Sequence, residues 1–292
     1  MKLKISKAMT EQALYFYDIQ DIEYKQKCFE CIDEINNKEE YIEIINKFFD
    51  ELYFGKEKNI RQVWKVKSMS EIFGEIKNPF ITNIMLLAGF EIHQNNMEKF
   101  SLDDEQRTIH IKRVRECLLN DIIIRKYDGI RISQMLWGVY FVNIRLIEVG
   151  RLQYEYIMFN PLDEKEEKHC IQVHIPRGEK LDVLKVKESL SKSIVEIKKY
   201  FGLDNPQYFC TSWLLSPQIN TLVDSNSNIA KFNELFEIVG QKDGIKDVLN
   251  FVFNISECSD YNELEEKTTL QVKIKQMLLN NESISTGIGI LK

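Results

Sequence analysis

The first 125 residues carry apolar side chains at the three- and four-residue spacing of amphipathic helices. Residues 28–54 are the clearest case, and Gly55 follows them at a position typical of a helix C-cap. A second apolar face begins after Asn78-Pro79, and a charged amphipathic stretch covers residues 102–124. The pattern predicts a helical domain with few or no strands over residues 1–128.

The pattern changes after Tyr127-Asp128-Gly129, which is a turn signal. The apolar stretch 130–149 is expected to be a helix that ends at Gly150. Farther along, runs rich in aromatic and β-branched residues predict strands at 151–159, 170–175, 208–215, 247–255 and 283–291. Amphipathic segments predict helices at 181–200, 229–239 and 264–279, a short helix after Pro217, and a solvated hairpin loop in the charged run after Asn160-Pro161.

The order of these elements predicts the fold class. Strands joined through helices favour parallel neighbours in the middle of a sheet, whereas a hairpin gives antiparallel ones. Apolar residues make up 44% of the chain, enough to bury a core and to exclude a disordered protein. We therefore expect an α/β (α+β) protein with a helical N-terminal domain, residues 1–128, followed by a mixed sheet flanked by helices, residues 129–292.

Charge and hydropathy narrow the partners and the compartment. The chain has 39 Lys and Arg against 45 Asp and Glu, a net charge of −6, and phosphate contacts need concentrated positive charge. We therefore expect no nucleic-acid partner. The N-terminal segment lacks the apolar core of a signal peptide, and no stretch of the sequence is long and apolar enough to span a membrane. We expect a cytoplasmic protein without a membrane partner.

The cysteines argue against a metal site. Six are spread along the chain, and only Cys28 and Cys31 form a CxxC pair. Structural zinc needs about four ligands, and neither a second pair nor a neighbouring histidine completes such a set. We expect buried thiols in a reducing compartment and no metal.

The break after the predicted strand 170–175 is a first candidate site. The sequence runs from a strand through Pro176-Arg177-Gly178 into a helix, and the free amides at a helix start attract anions. Arg177 and Lys180 add positive charge there. The alternative is an ordinary strand-to-helix turn, because one glycine and two basic residues are a short motif.

Polar residues at period two on three predicted strands form a second candidate site. Such residues share one face of their strand, and polar groups on central strands need partners. The sets are Arg151, Gln153 and Glu155, then Cys170, Gln172 and His174, and finally Tyr208, Cys210 and Ser212. The carboxyl ends of strands in open α/β sheets are common ligand sites. The alternative is a solvated sheet face with no ligand.

An ordered set of short motifs points to a known family. GRLQYE (150–155), VHIPRGEKL (173–181), CTSWLLSP (210–217), SNIAKF (227–232) and KTTLQ (267–271) occur in this order. Together they resemble the C-terminal GNAT-like domain of bacterial two-domain acyltransferase-like proteins, and the helical first part resembles the domain that accompanies it.

The resemblance implies a GNAT-like fold, acyl-CoA as cosubstrate and an amine as acceptor. It places the pantetheine between two splayed strands, 170–175 and 208–214 in this chain, and the diphosphate on the loop 176–181. The cofactor-binding residues it implies are Ile175, Arg177, Gly178 and Lys180. The usual phosphate loop, Q/R-x-x-G-x-G/A, is absent, and Arg177-Gly178 is what remains of its chemistry.

N-acyl transfer needs a base for the amine, donors for an oxyanion and a proton for the leaving thiolate. His174 is the better candidate base, with Glu155 as its orienter or as the carboxylate that binds the ammonium. Tyr208, Cys210 or Ser212 are candidates for stabilising the thiolate, and a Cys210–His174 acyl-enzyme is the less favoured route. The expected function is acyl-CoA-dependent N-acyl transfer to an unknown amine. The alternative is a catalytically silent GNAT-like module that binds a ligand or a protein.

Overall fold

The computed structural model of the protein describes residues 5–54, 77–158 and 168–292. Gly55 and the charged hairpin loop expected at 160–167 lie outside these residues. The chain divides into two compact units, Met1–Ile147 and Glu148–Lys292. The turn at Tyr127-Asp128-Gly129, where the sequence predicts a domain boundary, lies within the first of these units.

Helices make up most of the described residues of the first unit, as the sequence predicts. They are α1 Lys7–Phe16, α2 Ile22–Asn36, α3 Glu39–Phe54, α4 Ile81–Leu87, α5 Phe90–Lys99, α6 Asp104–Arg125 and α7 Ile132–Val142. Side-chain oxygens of Ser6, Asp21 and Asp103 accept hydrogen bonds from first-turn amides and so begin α1, α2 and α6. The predicted apolar stretch 28–54 is interrupted at Asn37, where α2 ends before α3.

The expected helix over residues 130–149 is wrong in its second half. Helix α7 ends at Val142, Ile144 adopts a positive φ of 49°, and the chain continues as strand β1, Leu146–Val149. Apolar residues dominate this stretch, and periodicity cannot separate a buried helix from a buried strand in such a run. Both pieces are buried, with Val139 and Leu146 each fully excluded from solvent.

The second unit is built on a six-stranded mixed sheet in the order β1-β2-β3-β4-β6-β5. Its further strands are β2 Leu152–Met158, β3 His169–His174, β4 Gln207–Ser212, β5 Phe236–Asp243 and β6 Ser285–Leu291. Strands β3 and β4 are parallel, whereas β2 with β3, β4 with β6 and β5 with β6 are antiparallel. The predicted mixed sheet with a parallel pair at its centre is confirmed.

Helices and short 3₁₀ turns complete this unit. The helices are α8 Val183–Phe201, α9 Pro217–Leu222, α10 Asn228–Asn233, α11 Ile245–Phe251 and α12 Thr269–Leu279, and the 3₁₀ turns are Trp213–Leu215 and Tyr261–Glu263. Helix α8 begins at the N-cap Asp182 and ends at Gly202, whose φ of 67° suits a left-handed C-cap. This helix is the crossover that makes β3 and β4 parallel.

Two elements differ in type from what the sequence predicts. Residues 229–239 were expected to be helical, but α10 ends at Asn233 and β5 follows as the edge strand of the sheet. Residues 247–255 were expected to be a strand, but α11 occupies their first half. Val248 and Leu249 on α11 and Phe253 just after it are the buried side chains of that stretch, and all three belong to the apolar core of this unit.

A pair of buried histidines lies in the core of the helical unit. His93 on α5 and His110 on α6 are both fully excluded from solvent, and their ring centroids are 5.8 Å apart. His93 Nδ1 is 3.1 Å from the Tyr17 hydroxyl, and His110 Nδ1 donates to the carbonyl oxygen of Phe141 at 3.2 Å. Burial lowers the pKa of His93 well below its usual value and that of His110 to about 4, so both rings are neutral at pH 7.

We expect this pair to make the protein sensitive to acid. Below pH ~6.5 histidines of the unfolded chain gain protons, whereas the folded rings stay neutral until near their lowered pKa values. The free energy of unfolding should fall as the pH drops from 6.5 to 4, by about 3 kcal/mol for His110 alone. Denaturant titrations followed by the helical circular dichroism signal measure the slope. His110→Gln should flatten it, and parallel curves for the variant and the wild type would contradict this account.

Candidate active site

The parallel strands β3 and β4 separate at their carboxyl ends. Their ladder pairs Cys170 with Gln207, Ile171 with Tyr208 and Gln172 with Phe209. Strand β3 then runs on to His174 and β4 to Ser212 without further pairs between the two, within the part of the chain that the structure describes. This is the pair of strands between which the resemblance places the pantetheine. Separated strands offer backbone donors and acceptors to a ligand.

A histidine–carboxylate pair lies at this end of the sheet. His174 Nε2 and Glu155 Oε2 are 2.7 Å apart, with 16% of the histidine side chain and 6% of the carboxylate side chain exposed. The register places Glu155 opposite Gln172, one pleat from His174, so the antiparallel pairing of β2 and β3 positions both side chains. A neutral His174 donates its Nε2 proton to the carboxylate and carries its lone pair on Nδ1. Such an arrangement can act as an oriented base.

Buried polar side chains extend from this pair across β2 to β1. Gln153 lies opposite His174 in the register, and its amide nitrogen donates to Glu148 Oε2 at 2.6 Å. Only 3% of Gln153, 5% of Glu155 and 2% of Gln172 is exposed. The alternative of a solvated sheet face therefore does not hold for these residues. The period-two spacing pointed to Gln153 and Glu155, whereas Glu148 was not predicted, because it lies in the stretch that was taken for a helix.

Tyr208, Cys210 and Ser212 share one face of β4, as their spacing predicts, but it is the face opposite to that of His174 and Glu155. Tyr208 pairs with Ile171, whereas Gln172 pairs with Phe209, so the two sets alternate in opposite phase. The Tyr208 hydroxyl lies 3.1 Å from the hydroxyl of Ser193 on α8. Ser212 Oγ accepts a hydrogen bond from the amide of Leu214 and begins the 3₁₀ turn. The structure thus brings His174 and Glu155 together and leaves this second set on the other face of the sheet, where Tyr208 contacts α8.

Burial determines how reactive the cysteine thiols are. Cys210 is fully buried, and burial raises the pKa of its thiol well above its usual range, which suppresses the nucleophilic thiolate. Of the six cysteines, Cys258 is the one that is not buried.

We expect iodoacetamide to modify Cys258 in the native protein and to spare Cys210, and mass spectrometry of the digested protein checks this. Cys210→Ala should keep its acyl-transfer rate within about threefold, because a buried neutral thiol is a poor nucleophile. Rapid labelling of Cys210 with loss of transfer would instead favour the acyl-enzyme route.

The loop between β3 and α8 is held from two sides. Arg151, in the turn between β1 and β2, donates three hydrogen bonds to backbone carbonyl oxygens of this loop, at 2.7 to 3.1 Å. Arg177 donates to Asn254 Oδ1 at 2.8 Å and to the carbonyl oxygen of Asn250 at 2.5 Å, and its guanidinium lies 5.3 Å from the centre of the Phe251 ring. Arg177 therefore anchors the loop to the end of α11.

The remaining predicted loop residues differ in what they offer. Gly178 has a φ of 113°, a conformation that side-chain-bearing residues rarely adopt. Lys180 is exposed and makes no ion pair with any described residue. Ile175 precedes the loop at the end of β3. The Asp182 carboxylate already accepts hydrogen bonds from the amides of Leu184 and Lys185, so it competes with an anion for the start of α8.

Two features are absent from the described residues. No three His, Cys, Asp or Glu side chains cluster among them in a way that could hold a metal ion. No helix within 5–54, 77–158 or 168–292 is long and apolar enough to cross a membrane.

Comparison with known proteins identifies the family to which the chain belongs. Residues 146–291 match the family of GNAT-like C-terminal domains, and the chain belongs to that family. This confirms the resemblance inferred from the motifs and the fold of the second unit. Comparison with curated proteins gives no match.

Solved structures share the fold over the full length of the chain. An acyltransferase variant in complex with octanoyl-CoA has a TM-score of 0.78 at 15% identity, over 100% of this chain and 89% of that chain. An acyltransferase with decanoyl-CoA has a TM-score of 0.68 at 16% identity, over 97% and 98% of the two chains. An acyltransferase with decanoyl-CoA and teicoplanin has a TM-score of 0.73 at 16% identity, over 100% and 90%.

Proposed function

We propose that this protein is an acyl-CoA-dependent N-acyltransferase. The observation that carries the proposal is the His174–Glu155 pair, 2.7 Å between its nearest atoms, at the end of the sheet where β3 and β4 separate. An oriented base beside the ends of two strands that are no longer paired with each other is a suitable setting for acyl transfer to an amine. Membership of the GNAT-like family and the acyl-CoA complexes of structurally similar acyltransferases support the same activity.

Acyl-CoA would supply the activated thioester carbonyl, held between β3 and β4 with its diphosphate on the loop 176–181. Of the residues predicted to bind it, Lys180 is exposed and offers a charge, and Gly178 offers an unhindered turn. Arg177 contributes through its anchorage of the loop, and Ile175 through its backbone. The absent Q/R-x-x-G-x-G/A pattern leaves fewer backbone donors than a full phosphate loop, so we expect modest affinity for CoA.

The residues of the pair then have distinct roles. Glu155 accepts a hydrogen bond from the Nε2–H of His174 and so directs the lone pair on Nδ1 toward the acceptor. His174 removes the proton that the amine must lose before it attacks. Backbone amides at the separated ends of β3 and β4 stabilise the oxyanion. The Glu155 charge offsets the positive charge that His174 gains.

A ligand that lies between two separated strands contacts side chains on both faces of the sheet. Tyr208 is therefore a candidate donor to the leaving thiolate, because burial raises the pKa of its phenol and keeps it protonated at pH 7. Cys210 and Ser212 are alternatives for this role. The Cys210–His174 acyl-enzyme route is disfavoured, since the two side chains lie on opposite faces of the sheet.

Thermal unfolding of the full chain with acetyl-CoA, octanoyl-CoA and free CoA tests the proposal. A ligand at about 100 times its dissociation constant should stabilise the protein by about 2.7 kcal/mol. Release of free thiol in the presence of a panel of amines then measures turnover. Stabilisation without turnover on any amine would favour the alternative of a catalytically silent module, and no stabilisation by any CoA derivative would refute the proposal.

A further inference from the structure

A buried arginine organises the loop that leads from β3 into α8. Arg151 is only 7% exposed. Its Nη1 donates to the carbonyl oxygen of Pro176 at 2.9 Å, its Nη2 to that of Glu179 at 2.7 Å and its Nε to that of Lys180 at 3.1 Å. All three acceptors belong to one short loop. A single planar guanidinium therefore sets the course of that loop, which a lysine or an amide could not match.

The three hydrogen bonds also set where the loop amides point. In a trans peptide the carbonyl and the following N–H point in opposite directions, and the described chain has no cis peptide. With these carbonyls turned toward Arg151, the amides of Arg177, Lys180 and Leu181 are turned away from it. The amides of Lys180 and Leu181 donate to no acceptor among the described residues. Outward amides of this kind form a concavity for an anion.

We propose that Arg151 is a positioning residue for the diphosphate of acyl-CoA. It acts through the loop, by turning these amides toward the ligand, and does not touch the substrate. Its guanidinium adds a fixed positive charge beneath the loop, in addition to the charges of Arg177 and Lys180. The inference rests on the proposed function, since it assigns Arg151 to the same site.

The test compares ligands with and without the diphosphate. In R151Q the dissociation constant of CoA, measured by calorimetry, should rise about tenfold or more, because charge-assisted hydrogen bonds that shape the loop are lost. Acyl transfer from an N-acetylcysteamine thioester, which has no diphosphate, should keep its kcat/KM within about twofold of wild type. A loss of CoA affinity without a loss of transfer from the truncated thioester would show that Arg151 positions the diphosphate, because general destabilisation of the protein would reduce both.

Two further variants complete the design. R151K keeps the positive charge but lacks the planar guanidinium with its several N–H donors. It should bind CoA with an affinity between those of wild type and R151Q. Lys275 provides a matched control, since its ammonium also donates to two loop carbonyl oxygens of this unit, those of Asn262 and Leu264, at 2.8 and 2.9 Å. K275Q should leave CoA affinity unchanged.

Each outcome is decisive. If wild type binds CoA and both R151Q and R151K bind it equally well, Arg151 has no positioning role. Equal losses toward CoA and toward the truncated thioester would also overturn the inference, and so would a loss in K275Q that matches the loss in R151Q. A wild-type protein that binds no CoA would overturn the proposed function itself. If R151Q fails to fold, R151K measured against the same two ligands decides the question.

Discussion

Replacement of His174 by glutamine is expected to lower the acyl-transfer rate by about 100-fold or more, the usual contribution of a general base. Glutamine preserves the approximate size of the side chain and can still hydrogen-bond Glu155, 2.7 Å from the imidazole in the wild type, but it cannot accept a proton from the amine. The affinity for CoA should change little, because the proposed diphosphate site lies on another segment. Steady-state kinetics with a saturating acyl donor measure the loss.

The pH dependence separates the two members of the pair. The acidic limb of the rate profile, which reports loss of the proton from the base, should disappear in His174→Gln. In Glu155→Gln it should persist, because the imidazole that accepts the proton of the amine remains. A normal profile in His174→Gln with the limb abolished in Glu155→Gln would reverse the two roles.

His169 provides the matched control for this experiment. It lies on the same strand, and its Nδ1 is 2.7 Å from the hydroxyl of Tyr156, at the opposite end of β3 from His174. His169→Gln should keep the wild-type rate and the wild-type acidic limb. A comparable loss in this variant would mean that the effect of His174→Gln comes from disturbance of the strand.

Replacement of Gly287 by alanine is expected to lower the free energy of unfolding by about 3 kcal/mol, the upper part of the range for overpacking. A Cβ at Gly287 on β6 would lie 2.2 Å from the carbonyl oxygen of Leu215, which is backbone and cannot turn aside. Leu215 ends the 3₁₀ turn directly after β4. The added methyl group would therefore displace the strand end beside which the proposed site lies, and CoA affinity should fall with stability.

Gly240 on β5 is the control, because the same substitution there meets only ordinary contacts, the nearest being Ile288 Cδ1 at 3.5 Å. Gly240→Ala should change the free energy of unfolding by less than about 0.5 kcal/mol. Denaturant titrations of the full chain measure both variants. Equal stabilities for Gly287→Ala and wild type would mean that the turn at Leu215 can move away from β6 at little cost.

Local patterns predicted the elements whose periodicity was unambiguous. Strands β2 and β3 alternate polar and apolar residues, and α8 has a single apolar stripe between a capping Asp182 and a terminating Gly202, so all three were located from the sequence. The errors fall where apolar residues occupy successive positions. Residues 130–149 were read as one helix, although Ile144 turns the chain into β1, and the core side chains of α11 were read as a strand.

The candidate site was predicted within strands but not between them. Period-two spacing placed Glu155 and His174 on neighbouring strands, and the structure brings them into contact. The same spacing could not reveal whether Tyr208 lies on their face, because a shift of one residue in register exchanges the two faces of a strand. The hydrogen bonds of Arg151 to the loop could not be predicted from the sequence for a related reason. The sequence shows that Arg151 is charged, but the backbone carbonyl oxygens that accept its hydrogen bonds come close to it only in the folded loop.

The position of β6 in the sheet has a consequence for how the chain acquires its fold during synthesis. This strand pairs with β4 on one side and β5 on the other, yet it follows both in sequence. Until it emerges from the ribosome, β4 and β5 each present an open edge, and such edges pair readily with other chains. The parallel pairing of β3 with β4 must also form, and it is slow to nucleate because helix α8 separates the two strands in sequence. A nascent chain of this protein should therefore depend on chaperones that shield strand edges until β6 enters the sheet.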